Sequence, residues 1–145
     1  MNATAPHILV TGATGLLGRP ALRALSAVPG WRTTGAAFRR AAPGLVRVDL
    51  SQTAELPGFL DGLAPDVIIH AAAERRPDVS ERDPEGTQRL NVGATEALAR
   101  WASARGAFLV YISTDYVFDG TTPPYRTDDP PHPLTFAAYP DETPI

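Results

Sequence analysis

Residues 7–18 read His7-Ile8-Leu9-Val10-Thr11-Gly12-Ala13-Thr14-Gly15-Leu16-Leu17-Gly18 and hold the strongest structural signal of the chain. His7 to Thr11 is an apolar run of the length of a buried strand. A helix pattern opens at Leu16 and continues to Val28, with Leu22 and Leu25 at helical spacing. Between them the glycines fall in a GxxGxxG spacing. Alone, such a run is a weak signal; at a strand-to-helix junction it points to a seat for a dinucleotide pyrophosphate. Gly12 permits the sharp turn, Gly15 lets the backbone approach the phosphates at the helix N-terminus, and Gly18 lets helix and strand pack closely. Thr11, Gly12, Thr14, Gly15, Leu16, Leu17 and Gly18 are the candidate cradle. The alternative is a tight turn and nothing more. Pro20 predicts a local distortion, because it falls past the first helical position and lacks an N–H.

Along the rest of the chain, strand-like and helix-like runs alternate. Strands are predicted over Arg32 to Phe38, Leu45 to Val48, Asp66 to Ala72 and Phe108 to Ser113. A weak helix over Thr53 to Leu63 is interrupted by Pro57, Gly58 and Gly62. The best helix follows Asp83 as N-cap and Pro84 as first residue, with Leu90, Ala94, Ala97, Leu98 and Trp101 on one face and Gly106 as the left-handed terminator. Strands apolar on both faces suit a parallel sheet covered by helices. The predicted fold is α/β: a doubly wound Rossmann-type sheet of order 3-2-1-4-5 with right-handed crossovers. Residues 1–122 are expected to form the nucleotide-binding domain. Residues 123–145 are a loop and a divergent tail, which hold seven of the 15 prolines.

The composition agrees. The chain has 145 residues, 43% hydrophobic and 20% charged, as suits one globular domain. No apolar run approaches the ~20 residues that span a bilayer, and the first residues lack the blocks of a signal peptide. A soluble, cytoplasmic protein is expected. The net charge of −3 gives no reason to expect nucleic acid or a membrane surface as partner. The absence of cysteine excludes a disulfide scaffold and a thiolate metal site, and no metal is expected. All 13 basic residues are arginine, so no mechanism can draw on a lysine of this chain.

In such a fold the second strand ends near the adenosine ribose, where a carboxylate would bind the 2′-hydroxyl of NAD. Here Phe38 is followed by Arg39 and Arg40. A guanidinium pair suits the 2′-phosphate of NADP instead, so NADP is expected in preference to NAD. Two solvated loop arginines are the alternative. Asp49, with Leu50, closes the third strand and can accept a bond from the adenine amino group, or simply make a turn. Ala71, Ala72 and Ala73 leave room for the nicotinamide ribose against the backbone. His70 reads as a satisfied buried histidine and not as a catalyst.

Together these pieces resemble the extended short-chain dehydrogenase/reductase superfamily. Ser113 to Gly120, Ser-Thr-Asp-Tyr-Val-Phe-Asp-Gly, is similar to a motif of the dTDP-4-dehydrorhamnose reductases. Ala72-Ala73-Glu74-Arg75-Arg76-Pro77-Asp78-Val79, Gly106 to Leu109, Tyr116 to Thr121 and Pro123 to Arg126 resemble the regulatory beta subunit of methionine adenosyltransferase more closely. The similarity runs from about Ile8 to Leu134. It implies that Gly12, Gly15 and Gly18 hold the pyrophosphate and that Arg39 and Arg40 favour NADP. It places Arg75 at the cofactor, has Asn91 order the active site, and matches Thr114 to the hydroxyl that bonds a substrate carbonyl. For Asn91 a helix-surface amide, and for Thr114 a strand-end hydroxyl bonded to backbone, are the plainer alternatives.

The superfamily's Tyr-x-x-x-Lys pair has no counterpart. The family spacing puts its tyrosine at Ala137; Tyr139 lies two residues on, and Thr143 stands where the lysine would be. Pro140 and Pro144 oppose a helix there. Residues 135–145 look unrelated to the family, as if the rest of the chain, with its substrate region, had been replaced. Part of one sheet face is then expected to lie open. Three readings stay open: an NADP-binding regulatory module without catalysis of its own, whose partner is the catalytic subunit of methionine adenosyltransferase; a fragment of an NADPH-dependent nucleotide-sugar oxidoreductase; and a shortened product with no role of its own.

Overall fold

A computed structural model describes residues 5–40 and 42–134. Strand β1 (His7–Thr11) is buried along its whole length. It lies between β2 (Arg32–Ala37) and β4 (Val67–His70), with β3 (Leu45–Arg47) and β5 (Phe108–Tyr111) at the edges. The sheet is parallel throughout, in the order 3-2-1-4-5 that the alternation predicts. The registers pair Thr11 with Ala36 and with His70, so the C-terminal ends of the three central strands come level beneath the glycine turn.

Helices α1 (Gly18–Ser26) and α2 (Leu56–Leu63) follow β1 and β3. After β4 come α3 (Pro77–Arg82) and then one run of helix: α4 (Pro84–Gln88), a π-helical turn over Arg89–Gly93, and α5 (Ala94–Arg105). Asp83 caps α4 by accepting the Gly86 N–H at 2.9 Å, and Gly106 ends α5 at φ +67°. The core joins Leu9, Ala36, Leu60, Ile68, Leu98, Trp101 and Ala102 across the sheet. Leu50, Leu56 and Ala94 form a second cluster, supported by Leu90 and Ala97. The predicted apolar helix face is thus the packed one.

Several expectations change. The distortion at Pro20 does not arise. Helix α1 starts at Gly18, so Pro20 is its third residue, within the first turn, where N–H groups have no intrahelical partner. Pro57 is harmless for the same reason, since α2 starts at Leu56 and not at Thr53. Strand β4 ends at His70, which leaves Ala71 and Ala72 in the loop beyond. Strand β5 is not buried on both faces: Phe108 is 67% and Tyr111 43% exposed, with Ile112 beside them. Residues 123–134 contain neither helix nor strand, and Ala137, Tyr139 and Thr143 lie outside the described residues. Among the described residues no helix is long and apolar enough to cross a membrane, and no group of acids and histidines is suited to a metal.

Candidate dinucleotide site

The glycine turn owes its shape to three contacts. Gly12 has φ +66°, and a Cβ there would stand 2.7 Å from the Ala71 carbonyl oxygen. A Cβ on Gly18 would press into the Gly12 carbonyl, with its carbon at 2.7 Å. The Gly15 N–H donates to Gly12 O at 2.8 Å and closes the turn. Around Gly15 itself only Gly12 O is near, at 3.1 Å, so its front is open. Two glycines are therefore held by packing and the middle one faces space. The N–H groups of Leu16 and Leu17 donate to no acceptor among the described residues, and both side chains are exposed. Free amides at a helix start over an open glycine are what a phosphate needs. The residues present fit a dinucleotide pyrophosphate on that ground.

Behind the turn runs a buried hydrogen-bonded relay. Thr11 Oγ1 and His70 Nδ1 are 2.7 Å apart, and His70 Nε2 and Thr95 Oγ1 are 3.1 Å apart. The Thr95 hydroxyl donates to Asn91 O at 2.7 Å, so it accepts from Nε2–H, and Nδ1 in turn accepts from Thr11. Burial lowers the His70 pKa to about 4, which keeps the ring neutral and this polarity fixed. His70 is the satisfied histidine that the sequence suggests. Asn91, inside the π turn, accepts the Glu74 N–H and donates to Glu74 O, both at 2.8 Å. The Glu74 carboxylate takes Arg76 on both oxygens, at 2.9 and 2.7 Å. That hydrogen bonding holds its pKa below the usual carboxylate range. The relay ties the glycine turn to the segment after β4.

The remaining candidates divide. Arg39 and Arg40 are exposed at the end of β2, and Phe38 is 40% exposed. Ala71 and Ala72 are half-buried, whereas Ala73 and Arg75 are exposed. Leu50 is buried in the second cluster. Asp49 has turned its Oδ1 to the Ser51 N–H and hydroxyl, at 3.0 and 2.7 Å, which leaves its other oxygen uncommitted. Thr114 caps the short 3-10 turn Asp115–Val117, accepting the Tyr116 N–H at 3.2 Å. That is the backbone-bonded hydroxyl weighed as its plainer alternative. A recess of about 360 Å³ lined by Asp119, Tyr125, Asp129 and His132 contains none of the predicted residues.

Sequence reasoning missed two things. Arg47 lies with its guanidinium carbon 5.4 Å from the centre of the Phe38 ring, a neighbour that only the β2–β3 register reveals. It also missed α3, although Pro77 and Asp78 are helix-start signals.

The fold is that of a Rossmann-like α/β domain, and its likeness to known proteins gives its family. The model for the RmlD substrate binding domain matches residues 6–139, and the chain belongs to that family. The match runs five residues beyond Leu134, where the resemblance was expected to stop. The chain is 48% identical over 134 residues to methionine adenosyltransferase 2 subunit beta of Mus musculus, covering 92% of this chain and 40% of that protein. A hypothetical dTDP-4-dehydrorhamnose reductase from Sulfolobus tokodaii superposes with a TM-score of 0.85 at 32% identity, covering 91% of this chain and 48% of the other. The reductase of Bacillus anthracis, solved in complex with NADP, gives 0.76 at 25% identity, covering 95% and 47%. The chain thus spans less than half the length of these relatives.

Proposed function

We propose that this chain binds NADP(H) and acts as a regulatory module like the beta subunit of methionine adenosyltransferase, without catalysis of its own. The observation that carries the reading is the glycine turn, in which Gly12 and Gly18 are fixed by contact and Gly15 is left open below free amides. Thr11, Gly12, Thr14, Gly15, Leu16, Leu17 and Gly18 would hold the pyrophosphate. Arg39 and Arg40 would hold the adenosine 2′-phosphate, with Phe38 and Asp49 beside the adenosine; Leu50, its side chain taken up by the second cluster, would contribute only main chain there. Ala71, Ala72, Ala73 and Arg75 would border the nicotinamide half, and Asn91 keeps their segment in place through Glu74. When bound, the nicotinamide is a hydride carrier. In this reading the chain's residues bind and orient it and deliver no proton, because a Tyr-x-x-x-Lys pair is absent from the sequence.

The partner in this reading is the catalytic subunit of methionine adenosyltransferase, by likeness to the mouse protein. Calorimetric titration with NADP⁺ and NAD⁺, followed by co-purification with that catalytic subunit, tests both parts. Binding of NADP⁺ in preference to NAD⁺, and a complex on gel filtration, are expected. Failure to bind either dinucleotide would refute the reading. A second reading, a piece of a dTDP-4-dehydrorhamnose reductase with Thr114 toward the substrate carbonyl, is favoured by the likeness to the NADP-bound reductase. It requires NADPH oxidation on a dTDP-4-dehydro sugar by the purified chain.

A further inference from the structure

Arg47 is placed by the sheet and not by a loop. The parallel register sets Ala37 against Arg47, and the Val48 N–H donates to Ala37 O at 3.0 Å. Side chains alternate along β3. Val46 and Val48 pack on the core with Leu60 and Leu98. Leu45 lies on the other face, since a Cβ on Gly35 would meet Leu22 of α1 at 2.5 Å and Leu45 at 2.6 Å. Arg47, two residues on, shares that α1 face at the C-terminal end of the strands, which is where the glycine turn opens. Its guanidinium sits 5.4 Å from the centre of the Phe38 ring. A ring face holds the cation without using up its N–H donors, which point outward in the guanidinium plane.

Arg76, Arg89, Arg100 and Arg105 each pair with a carboxylate. Among the described residues none of Arg19, Arg39, Arg40 and Arg47 forms such a pair, and neither do Arg23, Arg32, Arg75, Arg82 and Arg126, so what sets Arg47 apart is its seat on the Phe38 ring and not the lack of a carboxylate. In a chain with net charge −3, this corner keeps unneutralised cations beside an exposed aromatic ring.

Resting on the proposed function, we propose that Arg47 is a specificity residue of the dinucleotide site. It is the third guanidinium, with Arg39 and Arg40, for a phosphate on the adenosine 2′-oxygen. Arg39 and Arg40 supply charge from a loop; Arg47 supplies a planar, bidentate donor whose position is fixed by strand register and by Phe38.

Titration of the full chain and its R47M variant with NADP⁺ and NAD⁺ tests this. Loss of one charge-assisted contact is expected to weaken NADP⁺ about tenfold or more, with NAD⁺ changed by less than about twofold. The R47K variant is expected to fall between, since an ammonium keeps the charge and loses the fork. An unchanged urea midpoint for R47M excludes a folding effect. Equal weakening of both dinucleotides would make Arg47 only a prop for Phe38 and overturn the assignment. So would unchanged NADP⁺ affinity in both variants. If the unmodified chain binds neither dinucleotide, the proposed function fails and this role with it; if it binds NADP⁺ and R47M does too, only the role of Arg47 fails.

Discussion

Gly12→Ala should be far more costly than any other glycine substitution with the same backbone angle, and the structure separates the causes. At Gly12 two penalties coincide. The residue has φ +66°, and its new Cβ would meet Ala71 O, Ala71 C and Ala72 N at 2.7, 2.8 and 2.8 Å. Gly106 has nearly the same angle, φ +67°, with no atom within 4 Å. Gly58 lies inside α2 with no left-handed angle and nothing within 4 Å. For Gly106→Ala only the left-handed backbone costs, about 1–2 kcal/mol. For Gly12→Ala the same cost applies, plus overpacking against rigid backbone of about 1–3 kcal/mol. About 2–5 kcal/mol in total is expected. For Gly58→Ala the helix gains about 0.5–1 kcal/mol. Urea unfolding followed by far-UV circular dichroism gives the three midpoints. A Gly12→Ala loss no larger than that of Gly106→Ala would refute the close packing of the turn on Ala71 and Ala72, and with it the geometry of the cradle.

Two further outcomes follow from the polar networks. His70 has its pKa lowered to about 4 by burial, against about 6.5 in an unfolded chain. The unfolded state therefore binds more protons between those values, and stability falls as pH drops from about 6.5 toward 4, with a slope of at most about 1.4 kcal/mol per pH unit. His70→Leu should lose about 2 kcal/mol at pH 7 by orphaning Thr11, and should lack that slope; a parallel pH profile for the variant contradicts the assignment. Asp119 accepts from the Thr121 N–H and hydroxyl, the Tyr125 hydroxyl and His132, and the Thr121 backbone bond heads the causes that hold its carboxyl well below the usual range. Asp119→Asn should raise protease sensitivity within 118–132 and leave the global urea midpoint in place, and in the unsubstituted chain the same loosening should appear only well below pH 4.

The sheet order was legible because strand-like runs alternate with helix-like ones and Gly12, Gly15 and Gly18 mark the first crossover. The identity of the packed helix face followed from Leu90, Ala94, Leu98 and Trp101 for the same reason. What escaped depends on partners far along the chain. The π turn over Arg89–Gly93 surrounds Asn91, whose amide clamps Glu74, and no local propensity encodes that bond. Arg47 meets Phe38 only once β2 and β3 are in register. Phe108 and Tyr111 read as core by composition, yet they stand on an edge strand with one face open. Pro20 misled because the first turn of a helix tolerates what its interior does not, and the starting residue was off by two.

The main-chain amides of the first βα turn are proposed to receive a diphosphate. Amide-resolved NMR titration of the chain with NADP⁺ tests it directly. Saturable shifts should concentrate on Gly12 to Gly18 and on Phe38 to Arg40, and the Gly12→Ala variant should lose them. Shifts confined to the recess around Asp119 and His132, or none at millimolar NADP⁺, would contradict it.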